Sequence, residues 1–308
     1  MTADLADLRP LLGRLQDLKR IRTPDWGGDR AWSFAQHRFC LAWGHLSTRQ
    51  PADVAVFEAI RAVAATELAG IDATVLADAG LPADQIEGVY GQAVRAATAG
   101  LPQAVVDSLL AAVPAAVGWS FLGPEPWAPD AYVRLTAQPR AGATHPTKPR
   151  LLLDPAESHA DHCYVVAVSA ALLALAGGTD PARPFLAGLA HHLHNVWLPD
   201  AGYAGEELLA EHLRPVVDRL TTRALALLPP PLAAAVVSSF ALLPAPDSPE
   251  AEAFHAADVL DRVLWMEGYE RAARFRLTQA MDDLELVHPG PTQAFLNGVL
   301  AAAGVWPR

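Results

Sequence analysis

The sequence predicts an all-α protein, and three observations carry that expectation. Apolar residues recur three and four apart through most of the 308 residues, the period of one helix face. Convincing period-two alternation is absent. Val, Ile and Thr are sparse beside Ala and Leu, the stronger helix formers.

The first helix is written by Leu5, Leu8, Leu11, Leu12, Leu15 and Leu18. The loop RIRTPDWGGDR follows, broken by Pro24, Gly27 and Gly28. Helices are then expected at about 32–47, 52–69, 83–99 and 103–117. The segment 135–150 carries three prolines and no periodicity, so it is the expected linker. Beyond it, helices are expected at about 159–176, 182–196, 206–227, 230–242, 250–284 and 291–304. Gly177-Gly178 reads as a turn between two of them.

Apolar residues make up 52% of the chain, which supports a large core and excludes disorder as the main state. With 23 basic and 34 acidic side chains the formal charge is −11. Residues 1–150 hold 15 acids and 14 bases, net −1, and residues 151–308 hold 19 and 9, net −10. That balance argues against binding extended nucleic acid by phosphate neutralisation. Two cysteines, Cys40 and Cys163, exclude a disulfide scaffold and a thiolate zinc site. The start MTADLADLRP lacks the order of a signal peptide. No apolar run reaches about 18 residues without a break. A soluble, cytoplasmic chain without membrane association is expected.

Four short matches repeat in the same order. SFAQHRF (33–39) resembles SHADHCY (158–164). IDATVLADAG (71–80) resembles LHNVWLPDAG (193–202). Leu101-Pro102 pairs with Leu228-Pro229, and Asp130 with Asp258. Offsets between 122 and 128 suggest a tandem duplication.

Six of the eleven histidines lie between 159 and 212. Imidazole is a neutral ligand for first-row transition metals and a proton carrier near pH 7. His159 and His162 share a helix face. His191, His192 and His194 end another apolar helix. Facing helices are a common frame for a metal site.

The order His162, His191-His192, Asp258 resembles the His, His-Asp, Asp pattern of the HD superfamily of helical metal-dependent phosphohydrolases. Glu157-Ser158-His159-Ala160-Asp161-His162 is similar to the ESxAEH motif of its branch containing bacterial 5′-deoxynucleotidases. FLAGLAHHL (185–193), HAAD (255–258) and LKRIRTPDW (18–26) resemble that branch's run into HDL, its KxAD helix and its LKRxxRxGW lead-in. The resemblance implies two tandem HD-like helical bundles packed together. Residues 1–140 would form a degenerate repeat, and 141–308 one with a modified metal site. In the first, His37 and Asp130 persist, but Ala69 and Gly70 stand at the His-Asp positions.

The resemblance further implies a divalent transition metal (Zn, Mn, Co, Ni or Fe) held by His162, His191, His192 and Asp258. His192 replaces the family Asp, which removes one negative charge and moves metal preference away from Mg. Asn195 replaces the family's hydrolytic Glu and cannot take a proton. Asp200 is the surviving carboxylate that could orient a water. Arg20, Arg22 and Arg183 are candidates for substrate binding, or for solvated surface charge. The implied activity is hydrolysis of a small phosphomonoester, with a nucleoside monophosphate the first candidate. Two alternatives stay open: a catalytically degenerate protein that binds metal, nucleotide or a protein partner, and an iron oxygenase. Family members often form homodimers, though an internal duplication can supply that contact within one chain.

Overall fold

The computed structural model describes residues 5–22, 32–120, 127–273 and 276–307. The fold is all-α. Helices α1 (Leu5–Leu15), α2 (Phe34–Leu46), α3 (Pro51–Leu68), α4 (Ala73–Asp78), α5 (Ala83–Ala97) and α6 (Gln103–Trp119) come first. A single turn α7 (Arg134–Ala137) leads to α8 (His159–Ala176), α9 (Ala182–Ala190), α10 (Gly202–Leu209) and α11 (Leu213–Leu225). The chain closes with α12 (Pro230–Ser239), α13 (Pro249–Ala273) and α14 (Gln293–Ala302).

Helix α8 is the central element. It packs on α2, α3, α9 and α13, and every residue from His159 to Ala174 is buried. It is the one described helix long and apolar enough to cross a bilayer, and 89% of it lies inside the fold. Such a helix has no polar face because neighbours surround it on all sides. The hydrophobic core runs as one cluster from Leu5 to Val305, without a break at 140/141.

Two central helices begin with the same device. Ser33 caps α2 and Ser158 caps α8, each forming a capping box with the residue three places on, Gln36 or Asp161. The two boxes also bond each other: Gln36 Nε2 donates to Ser158 Oγ at 3.0 Å and to Asp161 Oδ2 at 3.1 Å. Upstream, Phe34 N bonds Ile21 O, as His159 N bonds Gln138 O. Pro102 and Pro229 each stand at the N-cap of α6 and α12. Asp130 and Asp258 are not alike in place: Asp130 sits in the turn before α7, whereas Asp258 is in the middle of α13.

The expected linker is not a linker. Residues 143–151 form an antiparallel hairpin, β1 (Ala143–His145) with β2 (Lys148–Leu151). Pro146 stands in its turn, where a fixed φ favours reversal. Gly142 precedes it at φ +75°, and a Cβ there would run into Leu151 O. The strands are too short for alternation to show in sequence.

Candidate metal centre

Two helix ends and the middle of α13 converge. The Ser158–Asp161 box fixes the first turn of α8 and thereby His162, which is fully buried. His162 Nδ1 lies 2.7 Å from Asp261 Oδ2. A carboxylate only accepts, so this nitrogen carries the proton. Asp261 also accepts from Lys19 Nζ at 2.7 Å and Gln16 Nε2 at 3.1 Å. Burial opposes its charge, but Lys19 and His162 prevail and bring its pKa down to about 2. Burial likewise opposes the Lys19 charge, yet Asp261 and Glu157 raise its pKa. Glu157, His162 and Asp261 also cluster closely enough for a metal; the Lys19 ammonium already supplies positive charge there.

Helix α9 approaches α8 at Gly188, where a Cβ would stand 2.5 Å from Ala167 Cα. That close contact carries His191, at the end of α9, against His162. The two Nε2 atoms are 3.1 Å apart. His191 Nδ1 lies 2.9 Å from Gly188 O, so it too holds its proton on Nδ1. His192 Nδ1 lies 2.9 Å from Asn195 Oδ1, and Asn195 Nδ2 donates to Leu198 O at 2.9 Å. The same tautomer follows. Burial pushes the His191 pKa down to about 3 and that of His192 well below the ordinary value.

Asp258 completes the set. Its Oδ1 is 3.3 Å from His162 Nε2 and 3.9 Å from His191 Nε2, while Oδ2 is 3.4 Å from Arg262 Nη2. Burial opposes its charge, and Arg262 with His162 and His191 holds the pKa well below the carboxylate range. Two imidazole Nε2 atoms and a carboxylate oxygen therefore converge on one point, all within 3.9 Å of one another. A cation can join groups so placed. Ligand atoms ~2.1 Å from a shared ion stand ~3.0–3.4 Å apart at octahedral or tetrahedral angles. His162, His191 and His192 each bring a ring nitrogen within 4.8 Å of the others. The cluster can hold a metal ion, and its donors suit a transition metal better than Mg.

A cavity of about 240 Å³ opens onto this point, lined by His191, His192 and Asp258 and also by Arg140, Glu206 and Arg262. Arg140 and Arg262 were not singled out from sequence. Arg140 lay inside the presumed linker. The repeat extended upstream does not mark it either: with Gln138 standing where Ile21 does, Arg140 falls opposite Thr23. Arg262 lies one helical turn after Asp258, the i,i+4 spacing that faces two side chains together.

The other sequence candidates fall differently. Asp200 lines the cavity, but its carboxylate accepts from Ala141 N at 2.9 Å and Gly202 N at 2.8 Å. Asn195 is buried with both ends of its amide engaged on His192 and Leu198. Arg183 is not brought to the site: it opens α9, two turns from His191, and pairs with Glu250 at 2.5 Å. Arg22 is not brought there either, and donates to Lys19 O at 3.3 Å. Arg20 stacks on Trp265 and Tyr269, with ring centroids at 4.5 and 5.0 Å. His159 is buried and reaches Gln138 O at 3.3 Å through Nδ1, and His212 is exposed on the turn before α11. Comparison with protein-family models, with curated proteins and with solved structures gives no match in any of the three.

Proposed function

We propose that this chain is a transition-metal-dependent phosphomonoester hydrolase of the HD type. The observation that carries the reading is the convergence of His162 Nε2, His191 Nε2 and Asp258 Oδ1 on a cavity lined by two arginines. His162, His191 and Asp258 would hold the metal (Mn, Fe, Co, Ni or Zn), with His192 adjoining. A bound divalent ion supplies Lewis acidity and a water of lowered pKa.

The protein's own groups do the rest. Three neutral imidazoles and one carboxylate leave a divalent centre net positive, which favours an anionic substrate. Arg140 and Arg262 present guanidinium N–H groups to phosphate oxygens at the cavity wall. Asp261 keeps the His162 proton on Nδ1, and Asn195 does the same for His192. Glu206 lines the cavity and makes no hydrogen bond or ion pair among the described residues. Partial burial and the nearby Asp200 raise its pKa. Its carboxyl oxygen can hold the proton that a leaving alkoxide needs, the task for which Asn195 is unsuited.

A second reading is a metal-binding protein without turnover, favoured by the engagement of both Asn195 and Asp200. One experiment separates the two. Metal content is measured in the parent and in a His162→Ala/His191→Ala variant. Phosphate release from p-nitrophenyl phosphate is then followed with Mn, Fe(II), Co, Ni and Zn. The expected result is about one equivalent of metal in the parent, lost in the variant, and turnover that falls at least a hundredfold in Asp258→Ala and in Glu206→Gln. Metal without turnover selects the second reading. No metal overturns both.

A further inference from the structure

A second chamber of about 300 Å³ adjoins the metal-centre cavity. Arg140, Asp200 and Arg262 belong to both, so the two cavities share a wall. The far side of the second chamber is apolar: Leu152, Leu153, Ala156, Trp265 and Met266. Leu152 is 67% exposed, an uncovered apolar side chain on the chamber lining.

The polar groups of this chamber divide in a telling way. Its carboxylates have charged or backbone partners within the fold. Glu157 pairs with Lys19 and lies 3.7 Å from Arg140 Nε, and Asp200 takes two backbone amides. Three donors are not engaged. Arg140 Nη1, Arg262 Nε and Trp265 Nε1 are buried with no hydrogen-bond partner among the described residues. Buried donors are nearly always satisfied, and indole and guanidinium N–H groups can only donate. Arg140 and Arg262, which line both cavities, bring positive charge to the shared wall, with the apolar residues beyond it.

Resting on the hydrolase reading above, we infer that the substrate is a phosphomonoester of a compact apolar alcohol, aromatic or prenyl in character. Its phosphate lies against Arg140 and Arg262, and its body fills the Trp265 chamber. A nucleoside fits less well. A nucleobase edge presents donors as well as acceptors, and the Leu152, Leu153, Ala156 and Met266 side chains of the chamber can meet neither. Each polar group buried without a partner costs affinity. The volume also lies at the small end of ligand pockets.

The test uses the full chain and three probes that cannot be hydrolysed at phosphorus: 1-naphthylmethylphosphonate, the 5′-phosphonate analogue of deoxyuridine, and inorganic phosphate. Affinities are measured by titration calorimetry, with Mn(II) and again in EDTA. The naphthyl probe is expected to bind at least tenfold more tightly than either of the others. Leu152→Asp, a change at an exposed position, should weaken the naphthyl probe about fivefold or more and leave phosphate unchanged. Trp265→Phe, at a buried position, should weaken it without abolishing it. A nucleoside phosphonate that binds as tightly overturns the inference. So does a naphthyl probe no better than phosphate, or the absence of binding by all three. Failure of the hydrolase reading looks different: no turnover of p-nitrophenyl phosphate, with the ligand preference intact.

Discussion

His162 meets Asp261 at 2.7 Å, and Asp261 meets Lys19 at the same distance. This line of contacts fixes which nitrogen of His162 faces the cavity. Partners of this kind orient a ligand and raise its basicity. Asp261→Asn keeps the shape but removes the charge, and Lys19 retains Glu157, so the fold should persist. Metal affinity, read by competition with a chromophoric chelator, is expected to fall roughly ten- to a hundredfold. An unchanged affinity would remove Asp261 from the positioning of His162. Residues of this kind were poorly legible in the sequence. His162, His191 and His192 came forward through histidine density, and Asp258 through the resemblance of their order to the HD pattern. Asp261 and Lys19 are ordinary charged residues until the fold buries both side chains completely. Asn195 was legible as a position but not as a role, because only the fold shows its amide turned onto His192.

Helix boundaries were legible where an apolar period stops at a turn residue. Helix α8 ends at Gly177, as expected for 159–176. The expected 206–227 helix is instead α10 and α11, parted at Ala210 with φ +45°. No glycine marks that break, so periodicity alone could not place it. The hairpin was hidden for a different reason: its strands are three and four residues long. Its function is positional, because Gly142 lines both cavities and Arg140 stands just before it. Gly142→Ala would set an L-residue at φ +75° and drive its Cβ into Leu151 O. The left-handed conformation alone costs roughly 1–2 kcal/mol, and the clash adds to it. A loss of about 2 kcal/mol or more is expected in urea unfolding. Phosphate affinity should fall as well, through displacement of Arg140. A neutral Gly142→Ala would show that the hairpin can yield without cost.

At the scale of the molecule, the site lies against one continuous core, with α8 at its centre. Burial there keeps several histidines neutral. The pKa of His159 falls to about 3, that of His191 to about 3 and that of His194 to about 4, in each case first through burial. The unfolded chain takes up these protons near pH 6.5. Between that pH and about 4 it therefore holds more protons than the folded protein, and stability falls as pH falls. The buried carboxylates act in a lower window. Glu58 has its charge opposed by burial but restored by Arg38, and its pKa of about 2, like that of Asp261, means its contribution is whole above the ordinary carboxylate range and fades toward pH 2. A drop between pH 7 and pH 5 thus reports the histidines and not the carboxylates. In EDTA, so that no metal competes for the imidazoles, the unfolding free energy should fall by roughly 2 kcal/mol across that interval for each ring that stays neutral. The denaturant slope should stay constant, since the surface exposed on unfolding does not change. His191→Gln, which cannot gain the proton, should flatten part of that dependence. A stability unchanged from pH 7 to pH 5 would mean that these rings take up protons in the folded state as readily as in the unfolded chain. Rings so open to protons would not be packed as they are beside α8, so this one titration tests the burial on which the donor set is built.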